Sequence, residues 1–351
     1  MEHANRGPAP HGHVTLMQVA RRAGVSAQSV SNALNNPDRV AAPTRKRILA
    51  AVDELGYEPN LSARALRNRN SSLIAVTMRP SQPEKASLLM DDFLYSLNAA
   101  AVEAGYHLIL CHAEGGRSRE IAAYRELLAK TSLDAVILAE THRHDDRVAA
   151  LRSWGVPFAS FGRSWDGDGE AAWVDVDGRA GTAAATAHLA DQGHRRIGYL
   201  GWLAESEVGQ DRRSGWLDGC RDRGLDTDLE AALVDSLDQG RRAAHRMLDG
   251  PHPATALVCA SDTLALGALR ALYERGLRPG ADVGVTGFDD SPTAALVSPG
   301  LTSVRQPIDQ VARHLIGAVD ALRSGTAGEP ARVLLPPQLI IRGSSLPAPR
   351  P

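Results

Sequence analysis

The chain has 351 residues, 43% hydrophobic and 23% charged, with a net charge of −2 at neutral pH. That length exceeds one ordinary core and predicts two or three domains. No apolar run approaches the roughly 18 residues of a membrane span, so a transmembrane protein is excluded. The near-neutral total conceals a division. Residues 1–70 hold ten Lys/Arg against five Asp/Glu, whereas the remainder holds 29 against 36. A basic head on an acidic body predicts an anionic partner for the head alone.

The opening "MEHANRGPAPHGH" has no apolar stretch of signal-peptide type and reads as a disordered arm over residues 1–13, which predicts a cytoplasmic protein. Cys111, Cys220 and Cys259 are odd in number and far apart. They read as buried reduced thiols, not as a disulfide frame or a metal site. No cofactor or metal is expected.

Residues 14–59 read as a three-helix head. Thr15 with Gln18 is a capping-box start, and Leu16, Val19, Ala20 and Ala23 follow at helical spacing. Gly24 supplies a tight turn, Ser26 caps a second helix, and Val30 and Leu34 lie on its inner face. Together these mark a helix-turn-helix. A third helix is predicted from Pro43 to Gly56, with Ile48, Leu49, Val52 and Leu55 closing the core. The early turns of the second helix present Gln28, Ser29 and Asn32, as a recognition helix does in a major groove. Gln and Asn pair bidentately with adenine, and Ala27 is placed to meet a thymine methyl. Thr15, Ser31, Asn35 and Arg45 are candidates for phosphate contact.

The next stretch, "PNLSARALRNRNSS" (59–72), is short, basic and half-helical, with Leu66 directly before Arg67. A segment this short is marginal as an isolated helix.

From residue 71 the pattern becomes short apolar runs alternating with helical stretches. "SLIAVTM" (72–78), "HLILCHA" (107–113), "DAVILAE" (134–140) and "VPFASFG" (156–162) form one strand set. "RIGYLGW" (196–202), "AALVDS" (231–236), "TALVCAS" (255–261) and "DVGVTGF" (282–288) form a second. Two α/β halves of parallel sheet imply a cleft between them, with ligands beyond the carboxyl ends of the strands. Arg212, Ser261, Asp262 and Asp289 fall at such ends, and Arg163 follows a first-half strand. Arg and Asp suit the vicinal hydroxyls of a sugar because both bond bidentately. Asp262 also has a helix-capping reading, and Trp154, Trp202 and Trp216 read as packing residues. "HRHDD" (142–146) reads as a solvated loop and "GDG" (167–169) as a turn. No G-x-S-x-G, P-loop or H-E-x-x-H motif occurs, so no enzyme is predicted.

"TLMQVARRAGVSAQSVSNALN" followed by "TRKRILAAVDELGYEPNLSARALR" resembles the lactose-repressor (LacI/GalR) family of bacterial transcription regulators. "AHLADQGHRRIGYLG" (187–201), "DRRSGW" (211–216), "ASDTLALGALRAL" (260–272), "GADVGVTGFDD" (280–290) and "SPGLTSVRQP" (298–307) resemble that family's effector domain. The resemblance implies a helix-turn-helix head, a hinge helix over 60–70, and a periplasmic-binding-protein-like core over 71–346. The core's first subdomain is expected at about 71–173 and 304–331, and its second at about 174–303 and 332–346. It further implies ligand roles for Arg212, Ser261 and Asp289, with Trp173 and Asp235 at other pocket positions. Leu66 would wedge into the minor groove and Arg67 would reach groove or phosphate. The family usually carries Thr and Arg where this chain has Ser29 and Asn32, so a different base is expected opposite Asn32. The expected partners are pseudo-palindromic double-stranded operator DNA, a small sugar-like effector and a second copy of the chain. The Pro-rich tail "SSLPAPRP" lacks a tetramerising heptad helix, which predicts a dimer. The alternatives are a purine or nucleoside corepressor on the same fold, and a sugar-binding protein that binds no DNA.

Overall fold

The computed structural model describes residues 14–57, 71–78, 89–112, 117–167, 171–326 and 328–347. It divides into two compact units at Ser71/Ser72. The expected arm (1–13) and hinge helix (60–70), with Leu66 and Arg67, lie outside the described residues.

The first unit packs three helices, α1 (Leu16–Ala23), α2 (Ala27–Asn35) and α3 (Ala42–Leu55), with a 3-10 turn at Pro37–Arg39. Both bonds of the Thr15–Gln18 capping box are present, and Gly24 ends α1 in the left-handed region at φ 64°. Val19, Ala20 and Ala23 bury against Val30, Ala33, Ile48, Ala51 and Tyr57. Leu49, expected in this core, is 39% exposed. The core stripe of α3 runs through Ile48, Ala51, Val52 and Leu55, and Leu49 is one helical step, about 100°, off that line.

The second unit holds two six-stranded sheets. The first lobe is built from β1 (Leu73–Met78), α4 (Leu89–Glu103), β2 (His107–His112), α5 (Arg117–Lys130), β3 (Ala135–Leu138), α6 (Asp146–Ser153), β4 (Phe158–Phe161) and β5 (Ala172–Val176). The chain then builds the second lobe from α7 (Gly178–Asp191), β6 (Ile197–Trp202), α8 (Glu207–Arg221), β7 (Glu230–Leu233), α9 (Leu237–Met247) and β8 (Ala256–Cys259). It continues through α10 (Asp262–Glu274), β9 (Gly284–Asp289), α11 (Pro292–Leu296) and β10 (Thr302–Arg305). Helix α12 (Ile308–Ser324) and β11 (Arg332–Leu335) return to the first lobe, and β12 (Gln338–Ile340) to the second.

The sheet orders are β2-β1-β3-β4-β5-β11 and β7-β6-β8-β9-β10-β12, the same sequence of crossovers in each lobe. Only the β10–β12 pair is antiparallel among the described strands. The switch in strand direction of progression falls beside β1 in one lobe and β6 in the other, which puts a binding crevice at the carboxyl ends of each. β5, β10, β11 and β12 were not among the expected strands. They place residues 174–176 and 332–335 in the first lobe and Arg305 in the second, which corrects the expected subdomain limits. The crossings lie after Val176, after Arg305 and between Leu335 and Gln338.

The expected solvated loop at 142–146 is exposed at Arg143, His144 and Asp146 but is anchored from within. His142 is buried, Asp145 caps α6 through a bond from the Arg147 N–H, and the Arg147 guanidinium is buried between Asp145 and Glu120. The guanidinium also donates to the Ala139 and Glu140 carbonyls. The polar run thus pins the chain leaving β3. Gly167 lies in a turn at φ 75°, and the rest of "GDG" is outside the described residues. The three cysteines are free and buried.

Helices α9 and α10 approach backbone to backbone. A β-carbon at Gly267 would lie 2.2 Å from the Leu237 carbonyl oxygen, and one at Gly240 would lie 2.4 Å from that of Leu264. Both neighbours are main chain and cannot swing away. Gly267→Ala is therefore expected to destabilise the protein by about 1–3 kcal/mol through overpacking, read as a lowered thermal midpoint, whereas Gly317→Ala, which meets no atom within 4 Å, should not.

Candidate DNA-reading face and interlobe cleft

In the head, the Ser26 hydroxyl caps α2 by accepting from the Ser29 N–H at 3.1 Å, and it also bonds the Ser29 hydroxyl at 2.9 Å. Gln28 is exposed and Ser29 and Asn32 half-exposed. The Gln28 amide donates to the Asn32 side-chain oxygen at 3.2 Å, one turn on. These three residues share one open face. Thr15 is exposed at the N-cap of α1, engaged with Gln18, and Arg45 is exposed in the first turn of α3. Asn35 ends α2. Ser31 does not join that face. It is 6% exposed, on a stripe with Ala27 and Leu34, both of which pack against the core. A hydroxyl there is shielded from phosphate, and Ala27 offers only part of its methyl.

The cleft is built around Arg212. It was expected just before a helix and lies instead in the second turn of α8, 4% exposed. One terminal nitrogen donates to the Ala260 carbonyl at 2.6 Å and the other lies 3.6 Å from an Asp289 oxygen. The guanidinium carbon is 3.6 Å from the Phe288 ring centre and 4.8 Å from that of Trp202. Its Nε–H is buried with no partner among the described residues. This buried guanidinium is well held, and its one unfilled donor is one that an acceptor atom could fill.

Asp289 ends β9 at φ 108°, its side chain buried, and accepts from the Gln306 amide at 2.8 Å. The neighbouring Asp290 is tied to Arg305 and Arg342 and serves the structure. Ser261 caps α10 by accepting from the Leu264 N–H, and its hydroxyl donates to Asp235 at 2.5 Å. Asp235, half-buried, is thereby oriented at the end of β7. Asp262 is not the cap and does not reach the cleft surface. It is fully buried, accepting from the Ser303 hydroxyl at 2.5 Å and the Ser291 N–H at 2.6 Å. Its bonds tie β10 and the loop after β9 to α10.

The first lobe contributes Arg163, whose Nε donates to Asp175 at 2.6 Å and whose terminal nitrogen reaches Asp211 of α8 at 3.4 Å. Asp211 also accepts from the Arg179 N–H at the start of α7, and Glu207 of α8 accepts from the Arg143 N–H of the first lobe. Helix α8 thus faces the first lobe at two points, one residue and five residues before Arg212. Trp173 is half-buried on β5 and shares a face with Asp175. Missed in the sequence were Phe288, Gln306, Asp211 and Asp175. Trp202, read as a packing residue, stacks on Arg212.

Residues 15–60 match the signature of bacterial regulatory proteins of the lacI family, and residues 186–345 match the periplasmic binding protein-like domain. The HTH-type transcriptional regulator AglR of Rhizobium meliloti is 33% identical over 349 residues, covering 96% of this chain and 95% of that protein. The chain belongs to the LacI family. Among solved structures, the transcriptional regulator CelR–cellobiose complex is 30% identical, with a TM-score of 0.72 over 95% of this chain and all of that one. The lac repressor dimer bound to operator and the anti-inducer ONPF is 28% identical, with a TM-score of 0.84 at the same coverages. LacI-family members are transcriptional regulators, not enzymes. No described helix of this member is long and apolar enough to cross a membrane, and no described cluster of side chains fits a metal ion.

One consequence of the cleft's construction is measurable by pH. Burial, and then the nearby Asp289 charge, push the Asp262 carboxyl up to about 7. The folded LacI-family chain then holds a proton that the unfolded chain releases near pH 4. This contribution is full below pH 4 and is lost as pH rises to about 7. Asp262→Asn is expected to flatten that part of the stability–pH profile in urea titrations. An unchanged slope between pH 5 and 7 would contradict the assignment.

Proposed function

We propose that this LacI-family regulator is a cytoplasmic homodimeric repressor whose grip on a pseudo-palindromic operator is set by a neutral saccharide in the interlobe cleft. The observation that carries the effector reading is Arg212. It is buried, aligned by Ala260, Asp289 and two aromatic rings, and keeps a buried N–H open. Beside it stand the acceptors Asp289 and Asp235. Donor and acceptor edges side by side, with aromatic walls, match a polyol better than an anion, which the carboxylates would repel. The relation to the CelR–cellobiose complex supports the same class.

Gln28, Ser29 and Asn32 are the proposed base readers, with Thr15, Asn35 and Arg45 on the sugar-phosphate backbone. Leu66 and Arg67 carry the expected minor-groove contact. A dimer is supported by exposed apolar side chains with nothing to cover them in one copy. Tyr95 is 79% and Val102 57% exposed, seven residues apart on α4, and Leu296 is 82% exposed on α11. In sequence the head is followed, after residues 58–72, by β1 of the first lobe, so a ligand that changes the angle between the lobes would act on the strand nearest to the head along the chain. The coupling free energy is what repression and its relief measure.

The test is fluorescence anisotropy on an operator duplex selected from random-sequence DNA, titrated with a saccharide and nucleoside panel. A saccharide is expected to shift operator affinity, and Arg212→Met or Asp289→Ala to abolish the shift while ligand-free operator affinity stays within about threefold. A response to nucleosides alone would overturn the saccharide reading. Gln28→Ala is expected to cost about 1–3 kcal/mol of operator binding and to relax one base position. Leu66→Ala is expected to lose operator affinity with the heads still folded; unchanged affinity makes that segment a plain linker.

A further inference from the structure

We propose that Trp165 and Trp202 hold the effector from the two lobes at once, each donating its indole N–H to a ligand oxygen. This rests on the saccharide reading above and adds two specificity-determining residues to it.

The two tryptophans lie at the carboxyl edges of the two sheets. Trp202 is the last residue of β6, at the carboxyl end that faces the cleft. Trp165 lies in the loop that follows β4, at the carboxyl edge of the first sheet. Each ring is covered on one side by an arginine, Arg163 at 4.9 Å from Trp165 and Arg212 at 4.8 Å from Trp202. The two stacks are joined across the lobes. Arg163 bonds Asp211, and Asp211 is followed directly in α8 by Arg212. One short helical step therefore links an Arg–Trp stack of the first lobe to an Arg–Trp stack of the second.

Both indole nitrogens are buried and have no hydrogen-bond partner among the described residues, as is the Nε of Arg212. Trp216, by contrast, buries its indole in the second-lobe core and donates to the Ile197 carbonyl at 3.3 Å. A buried N–H left open costs about as much as a hydrogen bond contributes, so native chains fill nearly all of them. Three unfilled donors at the facing edges of two lobes are accounted for together by one ligand rich in hydroxyl and ring oxygens. Indoles also pack on the C–H faces of saturated rings, which the same ligand class presents. Stacked arginines fix the rings, so the N–H directions are set before the ligand arrives and little ordering remains to be done on binding.

Trp165→Phe and Trp202→Phe keep a ring and remove the N–H. Full-length protein and both variants are titrated calorimetrically with glucose, maltose and cellobiose, with operator affinity and thermal midpoint recorded alongside. Each variant is expected to bind the best of these sugars about tenfold more weakly, and the double variant about a hundredfold, with sugar-free operator affinity unchanged. Wild-type affinity in both single variants overturns the proposal while leaving the saccharide reading intact. Failure of the wild-type protein to bind any of the three sugars overturns the saccharide reading and this proposal with it. Should a variant fold poorly, the wild-type tryptophan emission decides: it is expected to change on saturation with sugar, and an unchanged spectrum overturns the proposal.

Discussion

Burying a guanidinium is costly unless its charge is balanced and its donors are met, and the second lobe is arranged to do this for Arg212 while leaving its Nε–H open. The Ala260 carbonyl fixes one nitrogen, Asp289 balances the charge, and Phe288 and Trp202 supply the walls. Asp289 depends in turn on Gln306, which stands where the chain leaves β10 for the first lobe. On the other side, Asp211 carries the α8 contact to Arg163. The residue best placed to meet a ligand is thus bounded by residues that meet the other lobe.

Much of this was legible in the sequence for a physical reason. The central strands are short, largely apolar runs of four to six residues, and one of them ends on the charged Asp289, while Arg212 follows another after a short loop. The head was legible because capping, turn and core signals coincide within twenty residues. What was not legible depends on contacts between distant segments. Phe288 lies in β9 and Gln306 just after β10, and nothing local signals that Arg212 will stack on the first or that Asp289 will bond the second. Ser261 and Asp262 are both good caps, and only the buried bonds from Ser303 and Ser291 separate their roles. The run at 142–146 is polar by composition, yet Arg147 and Glu120, 27 residues apart, draw it inward. β5 and β10 to β12 escaped notice because strands of three to five residues are too short to carry a clear periodic signal.

The head and the cleft solve opposite problems. The head buries a small core of alanines and valines and leaves its polar residues short, so that Gln28, Ser29 and Asn32 present hydrogen-bonding edges with little chain to immobilise. The cleft instead buries its polar groups deeply and holds them with neighbours, giving rigidity where a small ligand must be told from its isomers. The internal bond between Gln28 and Asn32 is a modest example of the first strategy, since it holds both amides in place on the open face.

The chain passes between the lobes three times, after Val176, after Arg305 and at Pro336–Pro337. A single connection would leave two bodies free to swivel, twist and bend. Three connections restrain twist and sliding more than one would, and a bend between the lobes is the motion they resist least. The second of these connections begins beside Gln306 and the third is stiffened by two consecutive prolines. A ligand seated between the lobes would act chiefly through that bend, closer to a lever than to a general tightening.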